Sequence, residues 1–223
     1  MRMHRKPHLD ERLLSCGNIV TIADLTDKNM NRAKDTKEYL DFDKIFGNFN
    51  PVHLEIGCGK GKFVCETAKL NPRINFVACE KISNVIIDAC ERTVAEDIKN
   101  IHFLNCAAEV LEKYLRPRSV EKIYLNFSNP LPKEGYKKQR LTHPRFLEIY
   151  RRILKEGGTI VQKTDDRDFY LFSLESYKES GFEIKETCED LKNHPVEGDV
   201  ETEHEKLFKS QGKPIFRIVA EVL

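Results

Sequence analysis

Five short runs rich in β-branched and aromatic residues, VHLEI (52–56), NFVAC (75–79), IHFLNC (101–106), KIYLNF (122–127) and TIVQK (159–163), recur with helix-length segments between them. That alternation dictates a repeated β-α-β unit, and so an α/β fold with a mostly parallel sheet and helices on both faces. Two further runs, FEIKETC (182–188) and IFRIVAEV (215–222), come late and far apart. They can pair as antiparallel strands at one edge, which gives seven strands. At 155–158, KEGG has the cation and glycine that helix C-termini prefer, so a helix is expected to end there.

The 223 residues suffice for one sizeable core, since single domains mostly run ~100–200 residues and α/β folds often exceed that. One domain over residues 51–223 is expected, preceded by an N-terminal extension, residues 1–50, that is charged and helical in part around AKDTKEYLDFDKIF. A second weakly patterned region covers 189–213; long irregular segments in a compact domain are more often functional than filler. With 40% hydrophobic residues, 33% charged and a net charge of +1, the composition is that of an ordinary soluble protein, so any basic surface is local. The opening MRMHRKPHLDERLL has no apolar core behind its charge and does not read as a secretory signal. No apolar run approaches the ~20 residues that span a bilayer. Seven cysteines, Cys16, Cys58, Cys65, Cys79, Cys90, Cys106 and Cys188, form no C-x-x-C pair. A reduced, cytoplasmic protein with no metal, its thiols serving as small apolar side chains, is the simplest reading.

The stretch HLEIGCGKGKF (53–63) follows the first of the five strands and opens a helix, where open α/β sheets bind ligands. A phosphate-cradling P-loop would need glycine at position 56, which is Ile56, and Ser or Thr at 63, which is Phe63. A dinucleotide fingerprint would need glycine at 62, which is Lys62. What remains is the S-adenosylmethionine turn E-x-G-x-G-x-G, matched by Glu55, Gly57, Gly59 and Gly61, with Glu80 ending the next strand where a carboxylate accepts both ribose hydroxyls. After the strand ending at Phe127, Ser-Asn-Pro-Leu-Pro-Lys forms a proline-stiffened loop at the cofactor mouth. A basic run follows: Lys133, Lys137, Lys138, Arg140, Arg145, Arg151 and Arg152. Local positive charge beside a reaction site in a nearly neutral protein suggests a polyanionic substrate.

At MRMHRKP, FGNFNPVHLEIGCGKGKF, YLNFSNPLPK with KKQRLTHPRFL, QKTDDR and TEHEKLFKSQGKPIFR, the chain resembles the bacterial tRNA (guanine-N7-)-methyltransferases over nearly its whole length. The resemblance implies a class I methyltransferase (Rossmann-like) fold that transfers a methyl group from S-adenosylmethionine to guanine N7 in the tRNA variable loop. It implies tRNA as partner, with no DNA and no membrane, in a monomer or homodimer, and an extension packed on or near the RNA site. Lys137, Lys138 and Arg140 are then expected on the RNA backbone, and the cluster Arg2, Arg5 and Lys6 would supply a phosphate contact there. Residue by residue, it places Glu55 and Glu80 on the cofactor, and Lys133, Asp165 and Thr202, Glu203, His204 and Glu205 on or around the guanine. On the residues alone, Asp165 reads as a helix N-cap and Thr202–Glu205 as a capping segment.

Two departures from the family pattern stand out. Asn129 and Leu131 stand within N-P-L-P-K where D-P-W-P-K is usual, and Ala107 replaces an aspartate that would accept from the adenine amino group; either cofactor affinity is weaker for it, or Glu109 or a backbone carbonyl substitutes. Guanine N7 has a free in-plane lone pair, so the site must supply alignment and electrostatics, with Asn129 as the positioning acceptor at the chemistry. Two rivals are an exocyclic-amine methyltransferase working through the Asn-Pro-Leu-Pro loop, against which Pro132 takes the place of a stacking aromatic, and a tRNA-binding relative that has lost catalysis.

Overall fold

The computed structural model describes residues 4–23, 37–196 and 199–223. In chain order the elements are α1 (Leu9–Ser15), β1 (Val20–Ile22), α2 (Phe42–Phe46), β2 (Val52–Ile56), α3 (Lys62–Leu70), β3 (Asn75–Cys79) and α4 (Ser83–Ala95). They continue with β4 (Ile101–Asn105), α5 (Leu111–Tyr114), β5 (Val120–Asn126), α6 (Pro144–Ile153), β6 (Leu154–Thr164), α7 (Arg167–Glu179), β7 (Phe182–Cys188), α8 (Glu203–Ser210) and β8 (Phe216–Val222). They build one sheet in the order β1-β4-β3-β2-β5-β6-β8-β7. The first six strands in that order run parallel, and β8 is antiparallel to both β6 and β7.

All seven expected strands are present, and the two late ones pair as expected. The correction is an eighth, β1, which comes from the N-terminal extension and pairs with β4 through Val20–Phe103 to Ile22–Asn105. The β-branched run Ile19-Val20-Thr21-Ile22 was the available signal, but with three paired residues the strand is too short to stand out beside the longer ones. KEGG is a second correction. The helix α6 stops at Ile153, because Leu154 is already extended and pairs with Val120, and Gly157 turns the chain at φ 69° inside irregular β6.

Strands β2, β3 and β4 are buried throughout, as central strands covered on both faces must be. On one face Leu54, Val77, Leu104, Ile123 and Leu125 pack under Leu111 of α5, Phe146, Leu147 and Tyr150 of α6, and Tyr170 and Tyr177 of α7. On the other, Phe76, Ala78 and Phe103 pack under α1, α3 and α4, with Val64, Ala68, Ile86, Ile87 and Cys90 filling the layer. Six of the cysteines are buried in these layers and all seven are free thiols. The outer strand β7 is largely exposed and carries Glu183, Lys185 and Glu186, charges that discourage pairing with another sheet edge. Among the described residues, no helix is long and apolar enough to cross a membrane.

Candidate active site

The carboxyl ends of β2, β3, β4 and β5 surround a cavity of about 620 Å³ whose wall includes Gly57, Glu80, Cys106, Asn126, Asn129 and Arg145. The turn after β2 is held by two bonds: the N–H groups of Gly57 and Cys58 both donate to the Cys79 carbonyl at the end of β3, at 2.8 and 3.0 Å. Gly57, Gly59 and Gly61 all have positive φ, 81°, 57° and 76°. They do different work. A Cβ on Gly57 or Gly59 would meet open space, whereas one on Gly61 would lie 2.5 Å from the Ala89 Cβ of α4. Gly61 is therefore a packing glycine between α3 and α4, and the backbone left open to a ligand is that of Gly57 and Gly59.

Glu55, expected on the cofactor, sits one hydrogen bond behind the cavity wall. It is 2% exposed, and its Oε1 accepts from Asn126 Nδ2 at 3.1 Å. Burial pushes its carboxyl up to about 7, against the Asn126 hydrogen bond and with a smaller push from Glu80. Its Oε2 and the Asn126 Oδ1 are both buried without a partner. Two orphaned acceptors beside an open backbone cradle suit a ligand that brings positive charge and N–H donors. Sequence reasoning missed Asn126, although its place at the end of β5, facing the strand that carries Glu55, was the available signal.

Glu80 lines the cavity and is steadied from three sides. Its Oε1 accepts from the Ile82 N–H at 2.9 Å, its carbonyl accepts from Asn105 Nδ2 at 2.7 Å, and Ser83 Oγ donates to Asn105 Oδ1 at 2.8 Å. Ala107 lies between two wall residues, Cys106 and Ala108, and its carbonyl already accepts from the Val110 N–H at 3.1 Å. Glu109 reaches the wall but is held by Arg145 at 2.8 Å.

The loop after β5 bends through two non-glycine residues with positive φ, Phe127 at 50° and Leu131 at 47°. Such backbone costs about 1–3 kcal/mol per residue and persists where its surroundings fix it. Here Asn129 Oδ1 accepts from the Leu131 N–H at 3.1 Å, and Arg140 Nη2 donates to the Leu131 carbonyl at 3.2 Å. The Arg140 guanidinium also lies 4.5 Å from the Phe172 ring centre, and the residue is 6% exposed. Arg140 is thus a loop clamp, correcting its expected place on an RNA backbone. Lys133 and Lys138 are exposed, and Lys137 pairs with Glu134 at 2.9 Å.

The remaining candidates divide in the same way. Asp165 pairs with Lys213 at 3.3 Å, and the helix cap expected of it falls to Asp166, which accepts from the Phe169 N–H at 2.7 Å. Thr202 does cap α8, accepting from the Glu205 N–H at 3.0 Å, and is 5% exposed. Glu205 is 1% exposed and bonded to Lys163 and Lys209, so it faces the core rather than a substrate. Glu203 and His204 are exposed, with the His204 ring stacked 5.7 Å from Phe127. In the extension, Arg5 pairs with Asp10 and Lys6 with Asp88, so both are neutralised within the chain; Arg2 lies outside the described residues. Of the cations that the sequence did not single out, Lys81 lines the cavity. Lys60, Lys62 and Lys81, on the turns after β2 and β3, make no ion pair among the described residues, nor do Lys133 and Lys138.

This geometry agrees with what the chain is similar to. A family model described as "Putative methyltransferase" matches residues 49–218. A tRNA (guanine-N(7)-)-methyltransferase of Bacillus subtilis is 37% identical over 221 residues, covering 99% of both chains. One from Listeria monocytogenes is 41% identical over 177 residues, 79% of this chain and 83% of that protein. Among solved structures, the 16S rRNA methyltransferase KamB superposes with a TM-score of 0.65 over 83% of this chain and 95% of its own, at 17% identity, a likeness of fold alone. The chain belongs to the tRNA (guanine-N(7)-)-methyltransferase family.

Proposed function

We propose that the chain transfers a methyl group from S-adenosylmethionine to N7 of a guanine in tRNA, in the variable loop. The observation that carries the reading is one cavity whose floor at Asn126 is backed by the buried carboxyl of Glu55, and whose rim carries Lys81, with Lys60, Lys62, Lys133 and Lys138 on adjoining segments and none of the five in an ion pair among the described residues. The floor suits the positively charged cofactor and the rim suits a phosphate backbone. The names of the curated relatives supply the acceptor atom.

When bound, S-adenosylmethionine supplies an electrophilic methyl group on a sulfonium. Asn126, backed by Glu55, would offer acceptors to the positive end of that molecule, and Gly57 and Glu80, which line the cavity, would hold its ribose; Glu80 is pre-set by Ile82 and Asn105. Guanine N7 needs no general base, so what the protein contributes is alignment, worth about 7–11 kcal/mol in well-oriented systems. The loop 127–131 is built for that: both of its strained residues are tied down, Leu131 by Asn129 and Arg140 and Phe127 by the Lys163 carbonyl. Positive charge moves onto the purine during transfer, and a carboxylate beside the base would stabilise it; the exposed Glu203 of α8 is the candidate, since Asp165 is paired with Lys213. Asn129 holds the loop with an oxygen that carries no charge.

The exocyclic-amine alternative is disfavoured because Pro132 takes the place of the aromatic that would stack on the base. The N-terminal arm belongs beside the RNA site. Asn84, three residues beyond Lys81, bonds both the His4 carbonyl at 2.7 Å and the Lys6 N–H at 3.0 Å. The test is methyl transfer from labelled S-adenosylmethionine to tRNA, with nucleoside identification. The expected product is 7-methylguanosine; an N-methylated exocyclic amine, or tRNA binding without methylation, would overturn the assignment.

A further inference from the structure

Lys163 lies on β6 beside Asn126 of β5, in register with it, and is 1% exposed. A cation this deep needs several partners. Its ammonium donates to Asp199, to the Val200 carbonyl at 3.2 Å and to Glu205 Oε2 at 2.9 Å. Burial pushes the Glu205 carboxyl up, but Lys163 and then Lys209 outweigh it and hold it below its ordinary value. Lys209 binds the other Glu205 oxygen at 2.7 Å and Glu201 at 3.0 Å. Every one of these partners of the Lys163 ammonium thus comes from one short segment at the start of α8.

The same residue meets the loop after β5. The Lys163 carbonyl accepts from the Phe127 N–H at 2.9 Å, and the Phe127 ring stacks on His204 and lies 5.6 Å from Phe208. The helix is therefore fastened to the loop by ionic contacts through Lys163 and by aromatic contacts through Phe127. Apolar side chains would hold two elements together without the desolvation cost of a buried charge, and the best-attested return on that cost is a fixed register.

We propose that Lys163 is a positioning residue for the guanine subsite: its ammonium sets the seat of α8, and with it Glu203 and His204, against the loop that carries Asn129. This rests on the reading of the chain as a tRNA methyltransferase. Lys163 acts through α8 and touches neither substrate nor cofactor.

Two variants test it, Lys163→Met and the double variant Lys163→Met/Glu205→Gln, which leaves no buried carboxylate unpaired because Asp199 is partly exposed. The measurements are melting temperature, S-adenosylhomocysteine affinity by calorimetry, hydrogen exchange over residues 203–210, and kcat and KM for tRNA methylation. The double variant is expected to regain the melting temperature lost in the single one and to keep wild-type affinity for S-adenosylhomocysteine. It is also expected to exchange faster over 203–210 and to lose about tenfold or more in kcat/KM for tRNA. Wild-type kinetics with unchanged exchange would reduce Lys163 to charge balance and overturn the proposal. A double variant that cannot fold would make Lys163 a core requirement and would overturn it equally. Should the wild type itself not methylate tRNA, the functional reading fails separately, and the exchange data still decide whether Lys163 seats the helix.

Discussion

Glu55 joins the carboxyl edge of β2 to the chemistry through a single hydrogen bond from Asn126. Its carboxyl, raised to about 7 chiefly by burial, is protonated below that pH and ionised above it. A cationic ligand gains only from the ionised form, so affinity for S-adenosylmethionine should rise with pH and level off above 7. For a pKa near 7 the gain between pH 6 and pH 8 is about tenfold, which calorimetry at the two pH values reads directly. Glu55→Gln should abolish the dependence. The folded protein without ligand has the opposite slope: the unfolded carboxyl loses its proton near its ordinary value while the folded one keeps it, so this group's contribution to stability declines from about pH 4.5 to 7 and is flat above. At this scale Glu55, Glu80 and the glycines were legible because their spacing is tied to a turn. Asn126 was not, since a polar residue ending a strand carries no pattern of its own. Arg140 misled because charge in a run reads as surface, and Glu205 because the resemblance places its whole segment by the guanine; their burial depends on Phe172 and Lys163, partners distant in sequence.

The turn joining β2 to α3 separates two kinds of glycine that look alike in sequence. Gly61→Ala should be severe: positive φ costs a non-glycine residue about 1–2 kcal/mol, and forcing a methyl into the Ala89 contact adds about 1–3 kcal/mol. Gly59→Ala bears only the first cost, because nothing lies within 4 Å of the new Cβ. Thermal denaturation should rank Gly61→Ala well below Gly59→Ala, while cofactor titration should show lost affinity in Gly59→Ala out of proportion to its stability. Equal melting temperatures would refute the division of roles. The long strands were legible because central parallel strands must be apolar on both faces. The three-residue β1 and the end of α6 were not, the first for want of length and the second because Leu154 pairs with Val120 rather than continuing the helix. Thr202 announced the start of α8 by its cap, but nothing in EHEKLFKS announces that Glu205 turns inward.

Across the whole molecule a net charge of +1 hides an uneven distribution. Arg5, Lys6 and Arg12 are spent on Asp10, Asp88 and Glu91, whereas Lys81 lines the cavity and Lys60, Lys62, Lys133 and Lys138 lie on chain segments that adjoin it, all without acidic partners among the described residues. Each phosphate contact contributes about 0.7–0.9 to the log–log salt dependence of RNA binding. Replacing Lys62 and Lys81 with alanine should lower that slope by up to about twice this amount. Arg140→Ala should lower the melting temperature and leave the slope unchanged, since its guanidinium is engaged with Phe172 and Leu131. The central claim is that one ring nitrogen of guanine is the nucleophile and that the protein mainly aligns it. The most direct measurement is single-turnover methylation, at saturating cofactor, of two matched tRNA transcripts, one with guanosine and one with 7-deazaguanosine, which lacks N7 and keeps the exocyclic amine. Methylation of the first and none of the second is the expected result; equal methylation of both would contradict it.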